Sequence, residues 1–205
     1  MTRFILARHG QSKANENGFL YGCTETPLSN LGIKQAEALC QYLLKKYKID
    51  AIYSSPLSRA YDTVKGVADA LGLPIFIEQD FIEVSAGKLE GLPYSEIDRF
   101  YREEYQAWSK DTGINALPGG EPMESVQKRA IAKLKELTLK EDGKTVLVGT
   151  HSGLLRAVQC YMQRLPLELM KNIPWMGNTA FMVFDFDGEN FYIHKLGFDG
   201  HLENL

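Results

Sequence analysis

The chain has 205 residues, of which 44% are hydrophobic and 24% charged, with a formal net charge of -3. This length fits one domain, residues 1–205, with a full core, and the composition excludes a disordered chain. The acidic balance gives no footprint for nucleic acid, so no nucleic-acid partner is expected.

No run of 18 apolar residues occurs, so no membrane partner is expected either. Cys23, Cys40 and Cys160 are odd in number and widely spaced, which supports neither a zinc site nor a disulfide framework. With no signal-peptide pattern at the start, the expected compartment is the reducing cytoplasm, and the expected localisation is cytoplasmic.

In chain order, residues 3–7 form a short apolar strand, which Arg8, His9 and Gly10 interrupt with a cation, an imidazole and a flexible joint. A strand ending this way places those groups at a sheet edge, where open α/β folds bind ligands. Residues 10–28 read as a long irregular loop of functional rather than structural character. Ser29 caps a predicted helix over about 30–46, with Ile33, Ala36, Leu39, Leu43 and Leu44 on its apolar face. Ala51–Tyr53 is a second strand. A helix then runs from Pro56 to about residue 70, with Gly72 closing it. Leu73–Ile77 is a third strand, and 81–92 is a loop carrying Glu83. Helical pieces over 94–109 contain Tyr94, Phe100, Tyr101, Tyr105 and Trp108, whose spacing is that of packing residues in a cap.

A helix follows at about 122–139, then a buried strand at Thr145–Val148 ending in Gly149-Thr150-His151-Ser152-Gly153. Helix is expected again at about 153–163 and near 166–170. Residues 180–185 and 190–196 read as a hairpin around Asp187-Gly188, followed by a loosely held tail. Alternating strands and helices with a terminal hairpin imply a three-layer α/β/α sandwich around a mostly parallel, mixed central sheet. The hairpin is a candidate homodimer interface or a cover for the sheet. Two strands thus end in a histidine closely followed by glycine, at His9 and His151, whereas His194 and His201 lack that setting.

The ordered set ARHGQSKAN, GCTETPLSNLGIKQAEAL, IYSSPLSRAYDT, a glutamate before GKLEGL, and VGTHSG resembles the histidine phosphatase superfamily, which also contains the phosphoglycerate mutases. The resemblance runs from residue 3 to about 158. It implies a phosphoglycerate mutase-like fold with His9 as phosphoryl acceptor, Arg8 and Arg59 as phosphate-binding cations and His151 as a second pocket histidine. It further implies Glu83 as proton donor to the leaving group and Asn15 as a further polar contact to phosphate.

These residue types suit the chemistry. Arginine forks match phosphate oxygens and stay cationic, and fixed donors on those oxygens are the main catalytic term in phosphoryl transfer. A poor alkoxide leaving group needs a proton, which a carboxyl can supply. The expected reaction is therefore metal-independent hydrolysis of a phosphomonoester through a phosphohistidine, acting on a small phosphorylated metabolite without a cofactor.

Two departures bear on this reading. Cys23, Thr24 and Glu25 replace the family's usual residues after Gly22 and are expected to alter the pocket entrance. Ala86-Gly87 stands where the classical mutases show tyrosine-glycine, and the chain from Glu83 to His151 leaves room for a helical cap at about 92–122 but not for the mutases' larger insertion. A cofactor-dependent phosphoglycerate mutase, in which a substrate hydroxyl attacks the phosphohistidine, is the close alternative. A non-catalytic phosphate-binding or regulatory protein is the alternative of another class. Within the family, sugar, nucleoside and cobalamin-precursor phosphates all remain open as substrates.

Overall fold

A computed structural model describes residues 1–203 and 205. In chain order the elements are β1 (Thr2–Arg8), α1 (Lys13–Asn17), β2 (Phe19–Leu20), α2 (Asn30–Lys46), β3 (Ala51–Ser54), α3 (Ser58–Leu71) and β4 (Ile75–Ile77). There follow β5 (Leu92–Pro93), α4 (Tyr94–Phe100), α5 (Arg102–Lys110), α6 (Met123–Lys140), β6 (Thr145–Thr150), α7 (Ser152–Met162), β7 (Phe181–Phe186) and β8 (Phe191–Phe198).

Six strands form the central sheet in the order β4-β3-β6-β1-β7-β8. The first four are mutually parallel, β7 pairs antiparallel with β1 and β8 antiparallel with β7, so the sheet is mixed and mostly parallel as the element pattern predicts. Alternation along β1 builds both cores. Phe4 and Leu6 face α6 and α7 in one buried cluster, with Val146, Leu134 and Leu154. Ile5 and Ala7 face α2 and α3 in the other, with Leu39, Leu43, Val64 and Val67. The result is the three-layer α/β/α sandwich.

Four local expectations need correction. The loop after β1 contains α1, whose first turn closes by a capping box: Ser12 Oγ accepts from Asn15 N, and Asn15 Oδ1 accepts from Ser12 N. The third strand is shorter than expected, because Leu73 and Pro74 only lead into β4, and Pro74 has no N–H for a ladder. β2 pairs with β5 in a separate two-stranded sheet that ties the loop after β1 to the start of the cap helices. The tail is docked up to residue 203: the turn Gly200–Leu202 packs beside α2, and His201 Nε2 lies 2.9 Å from Thr179 Oγ1. Among the described residues, no helix is long and apolar enough to cross a membrane.

Candidate active site

Parallel register brings the chemistry together. Arg8 is level with Thr150 across β1 and β6, so His9 and His151 leave adjacent strands side by side. Their ring centroids are 5.2 Å apart. Ser54 is level with Gly149 across β3 and β6, which carries Ser55 and the start of α3, with Arg59, to the same sheet edge. Glu83 follows β4, and its carboxyl reaches the first turn of α7.

His9 is buried. Its Nδ1 lies 2.7 Å from the Gly10 carbonyl oxygen, an acceptor, so Nδ1 carries the proton and Nε2 is the ring's unprotonated nitrogen. Burial, then the charges of Arg8 and Arg59, hold the ring well below the ordinary histidine pKa and keep it neutral. The backbone behind it is tightly fixed. His9 N–H donates to Thr150 O, while Asn178 Nδ2 and Thr179 N donate to His9 O at 3.1 and 3.3 Å. Thr179 sits at φ 57, a left-handed conformation unusual for a β-branched residue; Asn178 O and His201 hold its hydroxyl. On the far side, Thr63 Oγ1 accepts from Gly10 N at 2.9 Å, which locks the loop to α3.

His151 is fully buried, and its Nε2 pairs with Ser55. Ser55 Oγ accepts from Leu57 N at 3.3 Å and lies 2.7 Å from His151 Nε2. The hydroxyl keeps one proton and one lone pair for that contact, and a donating hydroxyl places the His151 proton on Nδ1. That Nδ1, and the Nε of Arg8, are buried without a hydrogen-bond partner. An unpaired buried polar atom costs about 1–3 kcal/mol, so these two beside His9 are suited to pair with a bound anion. Burial first, then Arg59, His9 and Arg8, keeps His151 well below the ordinary histidine range.

Arg59 is 1% exposed, and its guanidinium is braced by Gly22 O at 2.6 Å and Thr24 O at 2.9 Å. Those two carbonyls use only part of its five donors. Arg8 donates through Nη1 to Met176 O. Glu83 is 8% exposed and takes backbone N–H bonds from Val84 at 2.9 Å, Gly153 at 3.1 Å and Leu154 at 3.2 Å. Gly153 is needed there: a Cβ on it would stand 2.6 Å from Glu83 Oε1. Arg129 secures the same segment by donating to Asp80 O and Glu83 O.

Arg8, His9, Asn15 and Glu83 line one cavity of about 290 Å³. Arg59 and His151 are packed around the same sheet edge, and the side chain of Asn15 also caps α1. The residues expected at the entrance are not among those lining it; each bonds to a residue around the site instead. Thr24 gives its carbonyl to Arg59, Glu25 accepts from Ser58 at the start of α3, and Cys23 donates its thiol to Glu83 O at 3.2 Å. Burial, then Glu90, pushes the Cys23 thiol up to about 11, which removes it as a nucleophile.

Three groups escape sequence reasoning. Ser55 reads as a turn former, and only its contact with His151 reveals it. Glu90 reads as a solvated surface acid, yet it accepts from the N–H groups of Gly22, Cys23, Thr24 and Ala86 and so holds the loop that braces Arg59. Burial opposes ionisation of Glu90, but these bonds, Ala86 first, outweigh it and keep the carboxyl below the ordinary glutamate range. Tyr94, Tyr105 and Trp108 read as cap packing, yet they also line the cavity, together with Trp175. Helical spacing alone does not separate these roles.

Comparison with known proteins agrees with this geometry. The family model "Histidine phosphatase superfamily (branch 1)" matches residues 4–199. Phosphoserine phosphatase 1 of Hydrogenobacter thermophilus is 31% identical over 202 residues, covering 98% of this chain and 95% of that protein. The solved structure of Bacillus stearothermophilus YhfR superposes with a TM-score of 0.93 at 27% identity, covering 99% of this chain and 100% of that one. A mycobacterial glucosyl-3-phosphoglycerate phosphatase in complex with VO3 gives 0.88 at 28% identity, covering 95% and 98%. The chain belongs to the histidine phosphatase superfamily, among its phosphatases of small phosphorylated compounds.

Proposed function

We propose that this protein hydrolyses small organic phosphomonoesters through a phosphohistidine at His9. The observation that carries the reading is a buried, neutral imidazole with its proton committed to Gly10, beside the unpartnered nitrogens Arg8 Nε and His151 Nδ1. His9 Nε2 attacks phosphorus and the ester P–O bond breaks. Glu83, as general acid, protonates the departing oxygen. Arg8, Arg59 and His151 stabilise the charge on the equatorial oxygens. Water then attacks phosphorus and the P–N bond breaks. Glu83 accepts the water proton and inorganic phosphate leaves.

The test is brief exposure to a radiolabelled phosphomonoester, followed by denaturation. Acid-labile, base-stable phosphate on the chain, absent from His9→Ala, is expected. Turnover without any trapped label, or undiminished turnover by His9→Ala, would overturn the nucleophile. Rapid isomerisation of 3-phosphoglycerate in the presence of 2,3-bisphosphoglycerate, outpacing phosphate release, would favour the mutase reading instead. The names of the relatives give two different substrates, phosphoserine and glucosyl-3-phosphoglycerate, so they support the reaction class more than a particular ester.

A further inference from the structure

The cavity has two unlike ends. Among the described residues lining it, Arg8 is the one guanidinium or ammonium and Glu83 the one carboxylate, and both belong to the phosphate end. The other end is a run of rings from three parts of the chain. Tyr94 on α4 meets Tyr105 on α5 at 6.0 Å between centroids, Tyr105 meets Trp108 at 5.6 Å, and Trp108 meets Trp175, before β7, at 5.9 Å. These rings are more than core. Trp175 is 44% exposed, and all four line the cavity.

The nearby positive charge is turned away from a ligand. The Arg156 guanidinium lies 4.5 Å from the Trp175 ring centre, and it is buried with bonds to Ile173 O and Thr112 Oγ1. It holds the wall in place and does not line the cavity.

A carboxylate or second phosphate on the leaving group would lose water against electron-rich ring faces and find no cation beyond Arg8, which the phosphoryl group engages. An uncharged ring would gain stacking area. The rings form a row, each tilted against the next by 35–57°, rather than a cage closed around a cation.

Resting on the hydrolase reading above, we propose that the preferred substrate carries an uncharged, ring-bearing leaving group stacked on Tyr94, Tyr105, Trp108 and Trp175. This selectivity would set the chain apart from relatives named for phosphoserine, whose leaving group is a zwitterion.

The test compares benzyl phosphate, ethyl phosphate, O-phosphoserine and phosphocholine. All four release an alkoxide oxygen, so a difference in kcat/KM reports mainly on the group beyond it. Benzyl phosphate should exceed each of the others by about tenfold, chiefly in KM, the equivalent of one stacked ring. Trp175→Ala and Trp108→Ala should each lose at least about fivefold more on benzyl than on ethyl phosphate, with Trp108→Phe restoring most of the difference. Melting curves certify that the variants are folded; the partly exposed Trp175 provides the arm least dependent on packing. O-phosphoserine or phosphocholine matching benzyl phosphate would overturn the proposal, as would equal losses on benzyl and ethyl phosphate in folded variants. Those results would leave the phosphohistidine intact. Hydrolysis of none of the four, with no label trapped on His9, would instead remove the hydrolase reading and this inference with it.

Discussion

At one end of the cavity, polar contacts fix each reacting group. His9 is held by Gly10, Thr150, Asn178 and Thr179, and Glu83 by three backbone amides. At the other end, rings lean on rings, and two of them, Tyr94 and Trp175, are substantially exposed. The difference follows from what each end has to do. Phosphoryl transfer needs donors placed to a fraction of an ångström in a dry setting, whereas holding a leaving group needs apolar area that tolerates variation. The rigid end is built on strand termini; the adaptable end is assembled from short helices and a loop.

The largest test of this contrast is His9→Ala. It should reduce phosphate release by about 10³-fold or more on every ester alike, since the nucleophile is gone whatever the leaving group. Unequal losses among esters would blur the two ends. Next is Glu83→Gln, expected to cost about 10²–10⁴-fold on alkyl esters and far less on p-nitrophenyl phosphate, whose leaving group needs no proton. Equal losses on both would remove Glu83 as proton donor.

Gly153→Ala should have a smaller effect of the same kind. Its Cβ would meet Glu83 Oε1 at 2.6 Å, so the carboxyl must move. Loss of roughly tenfold in kcat on alkyl esters with little change in KM is expected, alongside about 1–3 kcal/mol of stability from overpacking. An unchanged leaving-group dependence in this variant would show that the placement of Glu83 is loose.

The smallest effect concerns Glu90. Its folded-state pKa is depressed, so its contribution to stability is complete above the ordinary glutamate value of about 4.3 and fades as pH falls through the lower folded-state value. The melting-temperature gap between the wild type and Glu90→Gln should therefore narrow from pH 6 towards pH 3. A gap independent of pH would assign Glu90 a packing role only.

What could be read from the sequence follows the same division. Strands with apolar runs and capped amphipathic helices announce themselves locally, and the sheet and its two helical layers follow from them. Arg8, His9, Arg59, Glu83 and His151 were legible as a set because their motifs carry the family resemblance. Asn15, expected at phosphate, stands at the cavity but also caps α1, because one side-chain amide can serve both neighbours. The roles of Ser55 and Glu90 were not legible, since each depends on a partner distant in sequence. Cys23, Thr24 and Glu25, expected at the entrance, bond to Glu83, Arg59 and Ser58 around the site, because reading along the chain cannot tell the inner from the outer face of a loop. The aromatic wall was missed because Trp175 joins Trp108 only through tertiary packing, and helical spacing favours burial and exposure equally for such rings.

The pairing of Arg8 with Thr150 has a temporal consequence. Synthesis delivers His9 well before its partner histidine, which lies about 140 residues further along, and the strand that buttresses the other side of β1 comes later still. Non-local pairing of this sort forms slowly. The nascent chain therefore carries no working anion site while that intervening stretch is made, and acquires one only when the centre of the sheet closes. Capture of phosphate would serve as a clock for that closure.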